Sequence, residues 1–209
     1  MRQSETRATF AAALVLVVGM GFGRFAFTGL YPLMVADQQI TVEGGSYAAS
    51  ANYAGYLVGA LFAALLTGIS NRRLCTFAVV TTVASLAVLA LPIPEWLIIA
   101  VRGFSGVSSA FAMVAASNWL IHERKHHHGA PALFAGVGIG ILVSAEMIAI
   151  GHLASLSSHA LWLVLALGAL ALMVVSIIML GSADRLKPAP VASHSDPKVP
   201  PRLLSVRRG

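Results

Sequence analysis

Charged residues fall in small groups separated by long uncharged runs. Between Glu43 and Arg72 lie 28 uncharged residues, between Arg73 and Glu95 21, between Arg102 and Glu123 20, and between Glu146 and Asp184 37. A helix needs about 20 apolar residues to cross the hydrocarbon core of a bilayer. The pattern therefore predicts six spans, over 10–35, 47–69, 74–91, 96–120, 131–151 and 160–180. Polar or helix-breaking groups divide them: Asp37-Gln38-Gln39 with Glu43-Gly44-Gly45-Ser46, then Ser70-Asn71-Arg72-Arg73, then Pro92-Ile93-Pro94-Glu95. His122-Glu123-Arg124-Lys125 ends the fourth span, and Pro131 suits the first turn of the fifth. The fifth and sixth share one uncharged run and are divided only by the polar residues from Ser155 to His159.

Composition points the same way. Of 209 residues 57% are hydrophobic and 11% charged, with a mean hydropathy of +0.81, where a soluble domain carries roughly 25% charged residues. Twelve of the fourteen Lys and Arg lie at the N-terminus, in the second and fourth loops, or after residue 184, all on one side of a six-span topology. The positive-inside rule predicts a multi-pass protein of the inner (plasma) membrane with both termini cytoplasmic. The basic pI is thus topological and gives no reason to invoke nucleic acid. Cys75 is the single cysteine, which excludes an intramolecular disulfide. Three regions are expected: a cytoplasmic N-terminus (1–9), a transmembrane domain (10–180), and a basic, disordered tail (181–209) that holds five of the nine prolines.

The spans carry a weak internal repeat. Residues 54–65 (AGYLVGALFAAL) overlay 135–146 (AGVGIGILVSAE) at an offset of 81, and Arg24-Phe25-Ala26 faces Arg102-Gly103-Phe104-Ser105 at an offset of about 78. Helix one would correspond to four and two to five, giving two three-helix units; an odd number of spans per unit forces inverted topology. Ala51, Gly55, Gly59 and Ala63 form one stripe of small residues, and Gly136, Gly140 and Ser144 another. Such stripes mark close helix contacts in lipid. Gly21-Phe22-Gly23 lies within a membrane span, with no strand before it, so a dinucleotide fingerprint is rejected.

Two cations remain inside the membrane, Arg24 and Arg102, with one anion, Glu146, and the amide Asn52. At about 1.5 Å per residue Arg24 lies roughly 21 Å and Glu146 roughly 22 Å from the cytoplasmic ends of their spans. Arg102 and Asn52 lie about 8–9 Å below the other face, so all four are expected in one layer, able to pair. A lone arginine near the bilayer centre costs about 2.5–3.5 kcal/mol on insertion scales, and intramembrane ionisable residues are functional by default. Their net positive charge suits an anionic or carboxylate-bearing solute, and Glu146 is placed to carry a proton. Phe25 and Tyr31 are candidates to line a cavity beside Arg24. Asn118-Trp119 reads as an interfacial anchor. His122 with His126-His127-His128 reads as a solvated basic loop, with no metal or cofactor expected. No catalytic triad or dyad is spaced for chemistry, which argues against an enzyme.

GMGFGRFAFTGLYPLM followed by GGSYAASANYAGYLVGALFAAL resembles the first two helices of the YbfB/YjiJ-type branch of the major facilitator superfamily, and the resemblance covers about residues 8–181. It implies an all-α membrane fold matching one six-helix half of such a transporter, and a secondary transporter driven by protons or another gradient. Helices one and four line the central cavity in that superfamily, which would turn Arg24 and Arg102 toward substrate with Asn52 and Glu146 beside them. The loop after helix two usually reads Gly-x-x-x-Asp-Arg-x-Gly-Arg; Gly68-Ile69-Ser70-Asn71-Arg72-Arg73 keeps a glycine and an arginine but no aspartate. Members have twelve helices, so the expectation is an N-terminal half that needs a homodimer or a separate C-terminal half. The alternative is an inactive or regulatory truncated fragment.

Overall fold

The computed structural model describes residues 2–65 and 68–185. The described residues form helices and turns without a strand, and six helices are long and apolar enough to cross a membrane. They are α1 (Glu5–Ala36), α2 (Val42–Leu65), α3 (Asn71–Leu89), α4 (Glu95–Glu123), α5 (His127–Leu153) and α6 (Ser158–Ala183). The helical backbone of α6 continues to Arg185, into the segment expected as a tail, whose remainder (186–209) lies outside the described residues.

The six spans stand where the uncharged runs put them, with one instructive shift. Glu43-Gly44-Gly45-Ser46, expected as a turn, is the first turn of α2. That turn is capped by Thr41, whose Oγ1 accepts the Gly44 N–H at 2.9 Å, and α4 braces the cap: the Thr41 N–H donates to Glu95 Oε2 at 2.7 Å. A polar first turn capped in this way is helical although its composition reads as loop. Asp37 does the same for α6, accepting the Ser158 N–H at 2.6 Å. On the side of the N-terminus, Asn71 Nδ2 donates to Glu123 Oε1 at 2.7 Å, tying the start of α3 to the end of α4.

Packing makes two layers. In the front layer α2 lies on α4, α4 on α1 and α1 on α5; behind it α3 and α6 pack on each other, on α1 and, for α3, on α4. α1 is the central helix: 78% of its most apolar window is buried, against 17% for α2 and 28% for α5. The small-residue stripes lie at these contacts. A Cβ on Gly55 would overlap the backbone of Gly103, and one on Gly140 would come within 2.7 Å of the Val17 carbonyl and 2.9 Å of the Gly21 Cα. Only glycine lets backbones approach so closely.

The helix containing Arg24 is not a regular α-helix. Val17–Phe25 forms a π-helical stretch of nine residues, and the Ala26 N–H reaches back five residues to the Gly21 carbonyl. Wide turns of this kind are rare and concentrate at functional sites. A second one, Asn118–Glu123, ends α4. Trp119, expected at the lipid interface, is instead fully buried in it, beneath the Arg124 guanidinium at 5.6 Å from its ring. The indole is part of the buried core, a matter of which face of α4 it occupies that position along the chain does not register.

Candidate functional site

The π-helical stretch meets α4, and α4 presents donors to it. Arg102, Ser105 and Ser109 share one face of α4, three to four residues apart. Arg102 is 2% exposed; its Nη1 donates to the Gly23 carbonyl at 2.9 Å and its Nη2 to the Arg24 carbonyl at 3.1 Å. The Ser105 hydroxyl donates to the same Gly23 carbonyl at 2.9 Å, and the Ser109 hydroxyl reaches the Gly19 carbonyl at 2.8 Å. The Phe27 ring lies under the Arg102 guanidinium at 4.4 Å. Arg102 is thus tied to the α1 backbone by two charge-assisted hydrogen bonds. In lipid, where backbone groups have no water to turn to, these bonds hold the wide turn in place.

Asn52, also 2% exposed, closes the arrangement from α2: its Nδ2 donates to the Arg102 carbonyl at 2.9 Å. Next to it α2 brings two tyrosines over Arg24. The Arg24 guanidinium lies 4.1 Å from the Tyr56 ring centroid, 4.9 Å from that of Tyr53 and 5.9 Å from that of Phe25. Stacking on aromatic faces lowers the cost of a cation in an apolar setting. The two arginines therefore differ in kind. Arg102 has hydrogen-bond acceptors, whereas Arg24 has none among the described residues, and its buried Nη1 is unsatisfied. A cavity of about 30 Å³ opens beside them, lined by Arg24, Phe25, Phe27, Thr28, Ala49, Asn52, Tyr53 and Arg102.

Of the residues singled out from sequence, Arg24, Asn52, Arg102 and Phe25 come together here. Tyr31 does not line the cavity; it stacks on Phe27 with centroids 5.8 Å apart, and its hydroxyl donates to the Val42 carbonyl at 3.1 Å, joining α1 to the start of α2. Glu146 is not brought to the arginines. It is exposed on α5 and makes no hydrogen bond or ion pair with any described residue. The reason is azimuthal. Gly136, Gly140 and Ser144 face α1, and Glu146, two residues on, is turned about 200° away from that stripe. Depth along the helix matched, but the face did not. Tyr53, Tyr56, Ser105 and Ser109 were not singled out, although both tyrosines lie in the Ser-Ala-Asn-Tyr-x-Gly-Tyr segment and both serines follow Arg102 at helical spacing.

A half-buried guanidinium without a hydrogen-bond acceptor among the described residues thus stands within a bundle of six helices long and apolar enough to cross a membrane. Comparison with known proteins gives one family: the model described as "Uncharacterised MFS-type transporter YbfB" matches residues 16–209. No curated protein and no solved structure matches the chain. The family match runs through every span, including the π-helical stretch and the polar face of α4, and on that ground the chain belongs to the YbfB-type family of MFS transporters.

Proposed function

We propose that the chain forms one six-helix half of a secondary active transporter for a small anionic solute, and that Arg24 is the residue the solute meets. The observation that carries this reading is the contrast between the two intramembrane guanidiniums: Arg102 is buried and bonded to backbone carbonyls, whereas Arg24 is half-buried and lies against the Tyr53 and Tyr56 rings with its N–H donors unused. Arg102 and Asn52 then hold Arg24 in position and line the site. Glu146, exposed on α5, carries the coupling proton from the face opposite the small-residue stripe.

The front layer of α2, α4, α1 and α5 is the wall that a second half covers, supplied by a second copy of this chain or by a separate C-terminal half. Lys and Arg on one side of the topology support an inner-membrane protein with both termini in the cytoplasm, and make a parallel pair the favoured assembly. Substrate is moved and not chemically changed; no enzymatic role is assigned. The test is solute-driven proton movement in proteoliposomes with a pH-sensitive dye trapped inside. Anionic solutes should change the internal pH with the wild-type protein, and Arg24→Gln and Glu146→Gln should each abolish the signal. An unchanged signal in Arg24→Gln contradicts the assignment of Arg24; absence of any signal from a purely monomeric protein favours the inactive fragment.

A further inference from the structure

The cavity beside Arg24 has features that narrow the solute further. At about 30 Å³ it has room for two to three waters, taking roughly 10–15 Å³ as the space for one water. Two guanidiniums line it and no carboxylate does. Arg24 Nη1 and Arg102 Nε are buried without a hydrogen-bond partner, and Arg102 is 2% exposed. The aromatic rings set the orientation. Tyr56 and Tyr53 lie against Arg24 and Phe27 lies against Arg102. The stacked Arg24 guanidinium presents its in-plane N–H edge, which matches a planar acceptor with two oxygens, while Arg102 keeps two of its donors on the Gly23 and Arg24 carbonyls.

We propose that this cavity seats the carboxylate group of a monocarboxylate solute, whose body extends past the exposed Thr28 and Tyr53 into the space before the front layer. This rests on the transporter reading and names its substrate class. One negative charge beside the guanidiniums offsets their mutual repulsion and meets the Arg24 donors that no described residue engages. Asn52 keeps the α4 backbone in register through the Arg102 carbonyl and so fixes the width of the seat.

The test uses the full-length protein in nanodiscs, with thermal unfolding followed by tryptophan fluorescence and sodium acetate or propionate titrated against chloride, phosphate and sulfate at matched ionic strength. A saturable rise in Tm is expected with the carboxylates alone. The apparent affinity should weaken by at least about tenfold in Arg24→Gln, as expected when a charged partner is removed. Ala49→Leu, which fills the cavity without removing a charge, should abolish the response. If Arg24→Gln does not fold, Ala49→Leu decides alone. Three results would overturn the proposal: an equal rise with phosphate or sulfate, no saturable response, or a carboxylate response that survives Ala49→Leu. Failure here is separable from failure of the transporter reading. Proton flux driven by some other solute, with no carboxylate response, leaves the transporter and removes the carboxylate seat. A carboxylate response without flux keeps the seat and removes the transport.

Discussion

The front layer contains one helix contact twice, built from the same backbone geometry and different chemistry. Gly55 and Gly59 of α2 lie on Gly103 and Val107 of α4; Gly136 and Gly140 of α5 lie on Ala13 and Val17 of α1. The α2 and α5 positions are 81 residues apart, as the sequence repeat has them, but the α4 and α1 positions are 90 apart, not the 78 suggested by aligning Arg24 with Arg102. At the offset of 90, the polar face of α4 (Arg102, Ser105, Ser108, Ser109) corresponds to Ala12, Val15, Val18 and Gly19 of α1, all buried. Likewise Asn52 of α2 corresponds, at 81, to the buried Leu133 of α5. Small residues fix how the helices approach and are kept in both units. The buried polar residues Asn52, Arg102, Ser105 and Ser109 belong to α2 and α4, and those of α4 serve the π-helical stretch of α1.

The comparison can be broken most severely at the shared backbone contact. Gly140→Val places a side chain against the Val17 carbonyl and Gly21. Its destabilisation is expected at or above the upper end of the roughly 1–3 kcal/mol typical of overpacking. Thermal unfolding and size-exclusion profiles would show it as loss of folded protein, while Gly138→Ala, where an added Cβ meets nothing within 4 Å, should fall within about 0.5 kcal/mol of wild type.

Next in size is the polar contribution of α4. Arg102→Leu removes both guanidinium bonds to the π-helical stretch; the Gly23 carbonyl keeps the Ser105 hydroxyl, while the Arg24 carbonyl loses its side-chain donor. A buried acceptor left unsatisfied costs roughly 1–3 kcal/mol. The fall in Tm should exceed that of Arg24→Leu, which breaks no hydrogen bond to a described residue. Equal falls would mean that the two arginines are structurally equivalent after all.

A smaller change sharpens the comparison by erasing it. Asn52→Leu gives α2 the residue α5 already has at the matching position, with loss of one interhelical hydrogen bond. Such bonds in membranes are worth about 0.6 kcal/mol and at most about 1.7, so the variant should fold, with a modest drop in Tm. Smallest is the far-side cap on α6. The Ser158 backbone N–H holds the Asp37 carboxyl below its ordinary value of 3.8. Because the folded-state pKa is depressed, the contribution is present above that value and is lost as pH falls through the folded pKa. The Tm difference between wild type and Asp37→Asn should be flat above roughly pH 5 and shrink at more acid pH; a difference that grows on acidification would reverse the sign.

Much of the fold was legible because lipid leaves few choices. Uncharged runs gave the six helices, and the Gly55–Gly59 and Gly136–Gly140 stripes gave the contacts between units. What sequence spacing could not give was rotation about a helix axis. Glu146 was matched to Arg24 in depth, yet the stripe at Gly136, Gly140 and Ser144 already marked the opposite face of α5 as the packed one. Trp119 went astray in the same way: its place at the end of α4 was read, but not that its face is part of the buried core. Arg24 and Arg102 were aligned as like residues, whereas the backbone contacts pair positions 90 apart. The division of labour between the arginines rests on whether each finds an acceptor, and only packing decides that.

The central claim is that Arg24 faces an aqueous crevice reached by solute, and not lipid or a sealed core. Cys75 is the single cysteine and is buried, so thiols can be introduced against a quiet background. The decisive measurement is the labelling rate of Thr28→Cys, beside Arg24 at the cavity, by a negatively charged, membrane-impermeant thiol reagent, compared with Leu167→Cys on α6. Both native side chains are exposed. Rapid labelling of Thr28→Cys, slowed when Arg24→Gln is added, with Leu167→Cys unreactive, is the predicted result. A Thr28→Cys that is as inert as Leu167→Cys would put Arg24 against lipid and contradict the account.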